Sequence, residues 1–306
     1  MKVLVIGASG HIGSYLVPTL VKENHEVFAV MRGQRTPYGY DERTWNKVKI
    51  LQMSRDELCS SDVLQENFDV VCDLIAYDVA DVQKLLSKIR NDAFYVQIGS
   101  IWAYGNKAYL PVDEEHPKNG LDTYGKNKGY VEEYLFDLVR QKKLRATVVH
   151  PGHVSGKEWQ PINPQGNKDE SVYEKIRKGE EVALPFLGLT TLQHVHSYDL
   201  AQMISACIRR QDVANGQAFN AVAEKAMTQR AVCESLYARY GQKPNLQYLE
   251  WGDFEKAVGE ENAMITFDHA KHSPCCSAEK AKRLLGVEIR YSIMDIFDEY
   301  LTYTNR

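Results

Sequence analysis

The stretch KVLVIGASGHIG, Lys2 to Gly13, runs an apolar strand pattern into three glycines, Gly7, Gly10 and Gly13, and a helical pattern follows at once. A strand that ends in such a turn and opens a helix brings free backbone N–H groups and the positive end of the helix dipole to one point, where a phosphate can be received. The first glycine lets the chain turn tightly, the second lets backbone approach a pyrophosphate, and the third lets the helix pack on the strand. Spaced glycines alone also serve ordinary turns. The strand before them and the helix after them decide for a dinucleotide.

Working outward, short apolar runs recur at 2–6, 26–30, 48–51, 68–75, 94–99 and 146–150. Between them lie IGSYLVPTLVKE, VADVQKLLSKIR and GYVEEYLFDLVRQKK, whose apolar residues return every three or four positions. Strand and helix in alternation predict a doubly wound parallel Rossmann sheet of α/β class. Pro18 falls inside the first helix, where it removes a hydrogen bond and favours a slight kink. Residues 1–160 are expected to form the dinucleotide-binding domain. Prolines and glycines gather at 150–167 and 184–189, which marks a boundary and a substrate-facing loop. The strand-like TLQHVHSYDLAQMI, 191–204, is expected to rejoin the main sheet as part of 191–220. Residues 161–190 and 221–306 then make a smaller, mostly helical substrate lobe.

The formal charge of −4, with charged residues of both signs scattered along the chain, provides no basic block for nucleic acid and no polybasic membrane anchor. The expected partner is a small molecule. Six cysteines without CxxC spacing point to a reducing, cytoplasmic compartment. No apolar run is long enough to span a membrane.

With IGSIWAYG (98–105) and TYGKNK (123–128) added to the glycine turn, the chain resembles the short-chain dehydrogenase/reductase superfamily, in its extended branch of epimerases and dehydratases. VHSYDLA (195–201) and KAKRLLG (280–286) resemble further segments of that branch, so the resemblance covers essentially the whole chain. It implies Ser100, Tyr124 and Lys128 as the catalytic set. Tyr124 and Lys128 stand one helical turn apart on a shared face. An ammonium beside a phenol favours the phenolate, so the tyrosine is expected to titrate nearer neutrality and to act as general base. Ser100 is expected to hydrogen-bond the substrate oxygen that alternates between alcohol and carbonyl. The lysine also holds the nicotinamide ribose in that family. The expected cofactor contacts are Gly7, Ser9, Gly10, His11, Ile12, Gly13, Arg32, Arg35, Ala76, Lys128, Pro151 and Val154, the last two implied by the resemblance, and the expected substrate contacts are Tyr77, Trp102 and His153. The competing reading of the triad is an exposed aromatic and a solvated lysine. For the whole chain, the alternative to an enzyme is a dinucleotide-binding redox sensor or scaffold.

His194 and His196 alternate on a strand and share a face, but no carboxylate or cysteine cluster stands near them to complete a metal site, so they read as hydrogen-bonded strand histidines. Four departures from the family pattern narrow the reaction. Dehydratases follow the catalytic serine or threonine with an Asp-Glu pair, whereas Ser100 precedes Ile101 and Trp102, so epimerisation or simple oxidation and reduction is expected. The arginines that bind a diphosphate in the epimerases fall at Leu192 and Phe267, which makes a free sugar, sugar acid or polyol-like substrate credible beside a nucleotide sugar. The acid that ends the second strand in NAD-preferring members is missing. Arg32, with Arg35 close by, stands there instead and suits the 2′-phosphate of NADP, the favoured cofactor, with NAD as alternative. A second acid, expected after the third strand, is replaced by Ser54. Val131, Tyr134, Leu135 and Leu138, on the helix that carries Tyr124, serve either the core or a homodimer.

Overall fold

The computed structural model describes residues 1–90 and 92–305. Its main sheet has seven strands. In chain order they are β1 (Lys2–Ile6), β2 (Glu26–Met31), β3 (Lys49–Gln52), β4 (Val70–Asp73), β5 (Phe94–Ile98), β6 (Arg145–Pro151) and a last strand, Ala218–Ala221. Their spatial order is Ala218–Ala221, β6, β5, β4, β1, β2, β3, and every pair is parallel. The order reverses between β1 and β4. In open α/β sheets, ligands bind outside the carboxyl ends of the strands at such a switch point.

Alternation along β1 builds the two faces. Val3 and Val5 enter a core with the first helix, α1 (His11–Lys22), and with Leu200, Met203 and Ile204. Leu4 and Ile6 enter the opposite core with Leu58, Val82, Val131 and Leu135. Strands covered on both faces read as continuous apolar runs, and for that reason the pattern was visible in the sequence. Helix α1 runs unbroken through Pro18. Val131 and Leu135 are fully buried in the second core and are therefore core residues, with Tyr134 and Leu138 packed at its margin.

One expectation is corrected. Residues 191–204 do not form a strand of the main sheet. Thr191–Leu192 pairs antiparallel with Met227–Thr228, and His194–His196 pairs parallel with β7 (His153–Ser155). From Ser197 to Arg209 the chain is a helix that packs on α1. The alternation in TLQHVH stops where apolar spacing becomes three and four, at Leu200, Met203, Ile204 and Cys207. His196 makes the break: its Nδ1 accepts from the Tyr198 N–H at 3.0 Å and caps the helix. The strand that rejoins the sheet comes later, at Ala218–Ala221.

A third core gathers Ile162, Tyr173, Leu184, Leu236 and Phe297. It draws on 161–190 and on residues beyond 221, and small two-stranded pairings accompany its helices. No helix among the described residues is long and apolar enough to cross a membrane.

Candidate active site

Two cavities meet at the carboxyl edge of the sheet. One, of about 710 Å³, lies over the glycine turn and is lined by Gly7, Ser9, Gly10, Arg32, Arg35 and Arg55 among others. Gly7 has φ of +89°, and a Cβ there would stand 2.6 Å from Ile75 Cγ2. A Cβ on Gly13 would lie 2.4 Å from the Ala8 carbonyl oxygen, so only glycine lets α1 approach the turn this closely. Gly10 is the N-cap of α1 and offers no side chain to its free N–H groups. These features fit a dinucleotide pyrophosphate.

Around this cradle the charges are uneven. Arg35 lies against the rings of Tyr38 and Trp159, at 5.5 and 5.3 Å. Arg55 is held by Asp73 at 2.7 Å and by the Asp81 carbonyl at 2.7 Å. Arg32 is exposed and has no ion-pair partner among the described residues. Ser54 caps the short helix Arg55–Ser60 in a box with Glu57. His11 packs edge-on against Trp159, and burial, with Arg35 and Lys168 near, lowers its pKa to about 2.

Asp73 connects the two cavities. Its carboxylate, at the end of β4, accepts from the N–H groups of Ile75 and Ala76 at 3.2 and 3.0 Å. The loop so fixed presents the Ala76 carbonyl to Lys128 Nζ at 2.7 Å, and Ile98 at the end of β5 supplies a second carbonyl at 3.1 Å. Ala76 is fully buried, and its carbonyl holds the lysine. Burial lowers the Lys128 pKa to about 8, against the opposing pull of Asp73 and Asp81.

The second cavity, of about 510 Å³, contains Ser100, Tyr124 and Lys128 together with Ile12, Pro151 and Val154. The Ser100 hydroxyl accepts from the Trp102 N–H at 3.2 Å and lines the cavity with Tyr124. Lys128 Nζ lies 5.6 Å from the centre of the Tyr124 ring. This corrects the expected electrostatics: the Tyr124 pKa is raised, chiefly by burial, with Ser100 opposing. The ammonium stands beside the ring, pinned by two carbonyls, while the hydroxyl loses its water. Tyr77 is half-exposed, with its ring 6.0 Å from that of Tyr124.

The backbone of Ser100 is held by groups that the sequence reading missed. Its N–H donates to His150 Nδ1 at 3.0 Å. The other ring nitrogen of His150 pairs with Glu132, which also meets Lys118 at 2.9 Å. A Cβ on Gly99 would lie 2.3 Å from His150 Nδ1, so the imidazole packs directly on the chain that presents the serine. His150 reads in sequence as one more residue of β6. Only the neighbouring helix reveals its partner.

Trp102 faces Tyr124, with centroids 6.1 Å apart, and stacks on His272 at 4.1 Å. His153, His194 and His269 line the same cavity. Leu192 lines it as well and is buried, while Phe267 is exposed against Trp251. Among the described residues no arginine replaces the two absent from those positions: Arg177 pairs with Glu174 on the exposed face of its helix, and Arg283 lines a separate acidic depression. Among the described residues no group of His, Cys, Asp or Glu has the geometry of a metal site.

A parallel sheet of this order, with a glycine cradle at its switch point, defines a dinucleotide-dependent enzyme of the extended short-chain dehydrogenase/reductase class. The chain belongs to the NAD dependent epimerase/dehydratase family, whose model matches residues 3–221. Among curated proteins it is similar to the chloroplast stem-loop binding protein of 41 kDa b of Arabidopsis thaliana, at 25% identity over 98% of this chain and 78% of that one. It is also similar to a UDP-glucose 4-epimerase of Lactobacillus helveticus, at 29% identity over 51% of this chain and 52% of the relative, so it spans about half of that protein. Among solved structures, the UDP-glucose 4-epimerase of Thermotoga maritima with UDP-glucose superposes with a TM-score of 0.72 at 19% identity, covering 100% of this chain and 99% of that one.

Proposed function

We propose that the protein transfers a hydride, by epimerisation or by simple oxidation or reduction, at a secondary alcohol or carbonyl of a sugar-like substrate, with Tyr124 as general acid and base. The observation that carries this reading is the meeting of Ser100, Tyr124 and Lys128 in one cavity with Pro151, Val154 and Ile12, next to the glycine cradle. A bound nicotinamide supplies or accepts the hydride. Ser100 orients the reacting oxygen, and Tyr124 takes its proton on oxidation and returns it on reduction. Lys128, fixed by the carbonyls of Ala76 and Ile98, is placed to hold the ribose and to support charge on the phenolate. Ile101 and Trp102 bring no acid or base beside Ser100, which favours hydride transfer without loss of water. Arg32, exposed and unpaired at the cradle, supports NADP over NAD. The buried free thiols suit a reducing cytoplasm.

Tyr124→Phe tests the reading. Dinucleotide binding, followed by intrinsic fluorescence, should stay near the parent value while turnover falls at least ~10². Full turnover in the variant overturns it. The alternative of a sensor or scaffold lacks support from the site, because the tyrosine and the lysine are both present and joined in one cavity. Nucleic-acid binding, suggested by the name of the Arabidopsis relative, finds no basic block in a chain of charge −4.

A further inference from the structure

Most polar groups on the wall of the second cavity already have protein partners. Thr191 donates to the Pro274 carbonyl at 2.7 Å. Gln193 donates to the carbonyls of Ala223 and Cys276 and accepts from the Cys276 N–H at 2.7 Å. Lys128 is held by two carbonyls. The histidines and the Lys168 ammonium are the exceptions among the described residues.

His194 is fully buried, and its Nε2 accepts from the Ile162 N–H at 3.1 Å. Burial lowers its pKa to about 3, so at neutral pH the ring carries its one proton on Nδ1. That N–H has no acceptor among the described residues. His269 has the complementary arrangement: Nδ1 donates to the Ile265 carbonyl at 2.8 Å, which leaves the Nε2 lone pair free at the cavity. His153 stands between them, 5.3 Å from the His194 ring and 5.9 Å from that of His269, and its Nε2 is also buried and unpartnered. The parallel pairing of β7 with His194–His196 sets His153 directly beside His194. Burial, together with the two neighbouring imidazoles and Lys168, keeps His153 neutral as well.

An unpaired buried donor costs about 1–3 kcal/mol, so the wall is built for a ligand that completes it. One fixed donor and one fixed acceptor on either side of a third imidazole match hydroxyl groups, which both give and accept hydrogen bonds. A diphosphate offers acceptors only. It would face the lone pair of His269 and meet the single ammoniums of Lys168 and the carbonyl-held Lys128, with no arginine fork among the described residues that line the cavity. The same space must also admit a nicotinamide.

We infer that His153, His194 and His269 are the specificity-determining residues of the site, and that they select a compact polyhydroxylated substrate, a free sugar, sugar acid or polyol, without a nucleoside diphosphate. This rests on the proposed hydride transfer in the same cavity. The test titrates the dinucleotide-loaded protein by calorimetry with D-glucose, D-galactose and their uronic acids, and with UDP-glucose and UDP-galactose. At least one free sugar should bind saturably, its UDP-linked form no tighter, and His269→Leu and His194→Asn should each weaken it at least ~10-fold, the scale of one lost buried hydrogen bond. Dinucleotide affinity within about twofold of the parent, set against that tenfold loss, reports that the variants are folded. In the unmutated protein the same sugar should shift the ¹⁵N resonance of His194 Nδ1, a measurement that needs no variant. Tenfold or tighter binding of a UDP-sugar overturns the inference. So does binding by none of the free sugars, unchanged affinity in both variants, or an unmoved Nδ1 resonance at saturation. Tyr124→Phe with full turnover sinks the hydride-transfer reading instead, whatever the histidine variants do.

Discussion

The two cavities differ in how they are made. The cradle has its glycine turn in one stretch, with Gly7, Ser9 and Gly10, and takes the rest of its lining from the ends of β2, β3 and β4, with cations at Arg32, Arg35 and Arg55. The cavity with Tyr124 is walled by side chains from separate segments: Ser100 after β5, Tyr124 and Lys128 on the helix Thr123–Arg140, His153 on β7, His194 on its partner strand, and His269 on the helix Glu260–His272. One carries arginines toward its ligand, and the other sets neutral imidazoles beside two lysines, Lys128 and Lys168. A charged, repeated ligand part is recognised by backbone and a few arginines, while a neutral, variable part needs fitted side chains.

The largest effect expected to separate the two regions is that of Tyr124→Phe, a loss of ~10² to 10⁴ in turnover with the cradle left intact. Equal damage to dinucleotide binding would mean that the two cavities act as one. The next concerns Glu132, which supports His150 beneath Ser100. Glu132→Ala strands a buried imidazole and Lys118, at a cost of about 3 kcal/mol in unfolding free energy, read from denaturant titration. Burial pushes the Glu132 pKa up, but His150 and Lys118 pull it down further, so the net folded value is depressed. Its contribution is therefore complete above the ordinary carboxylate range and lost as pH falls through the folded value, so the parent and the variant should converge in stability in acid. A gap that persists or widens there would break the assignment.

On the cradle side, Arg32→Ala should remove most of a preference for NADP over NAD of about 1.4 kcal/mol, tenfold in affinity, without changing sugar binding. Equal or tighter binding of NAD by the unmutated protein removes the case for Arg32. The smallest effect belongs to Lys128, which lines the second cavity and is held by the Ala76 carbonyl. Because burial lowers its pKa to about 8, its ammonium is lost as pH rises through that value. Dinucleotide affinity should decline a few-fold between about pH 7 and 9 in the parent protein and stay flat in Lys128→Met, as read by fluorescence titration. A flat parent profile would assign the ribose contact elsewhere.

The expected fall in the Tyr124 pKa illustrates how sequence reasoning goes astray in such a site. One helical turn between Tyr124 and Lys128 predicts proximity, and proximity is what the structure has. Spacing says nothing of desolvation, which here outweighs the rest, nor of the Ala76 and Ile98 carbonyls that hold the ammonium beside the ring. The strand expected over 191–204 fails for a similar reason, since alternation in TLQHVH continues visually past the point where the His196 cap starts a helix.

What the sequence determined by itself was local and periodic. The glycine turn, the alternation of strand and helix, and the pairing of Tyr124 with Lys128 follow from spacing, because backbone geometry repeats at two and at 3.6 residues. What only the tertiary structure decided was which distant groups meet. His153, His194 and His269 carry no common motif, and His269 lies on a helix far along the chain. Their tautomers depend on partners at Ile162 and Ile265. A hydrogen bond has direction and a short reach, so these roles exist only once folding has brought the partners within a few ångströms of each other.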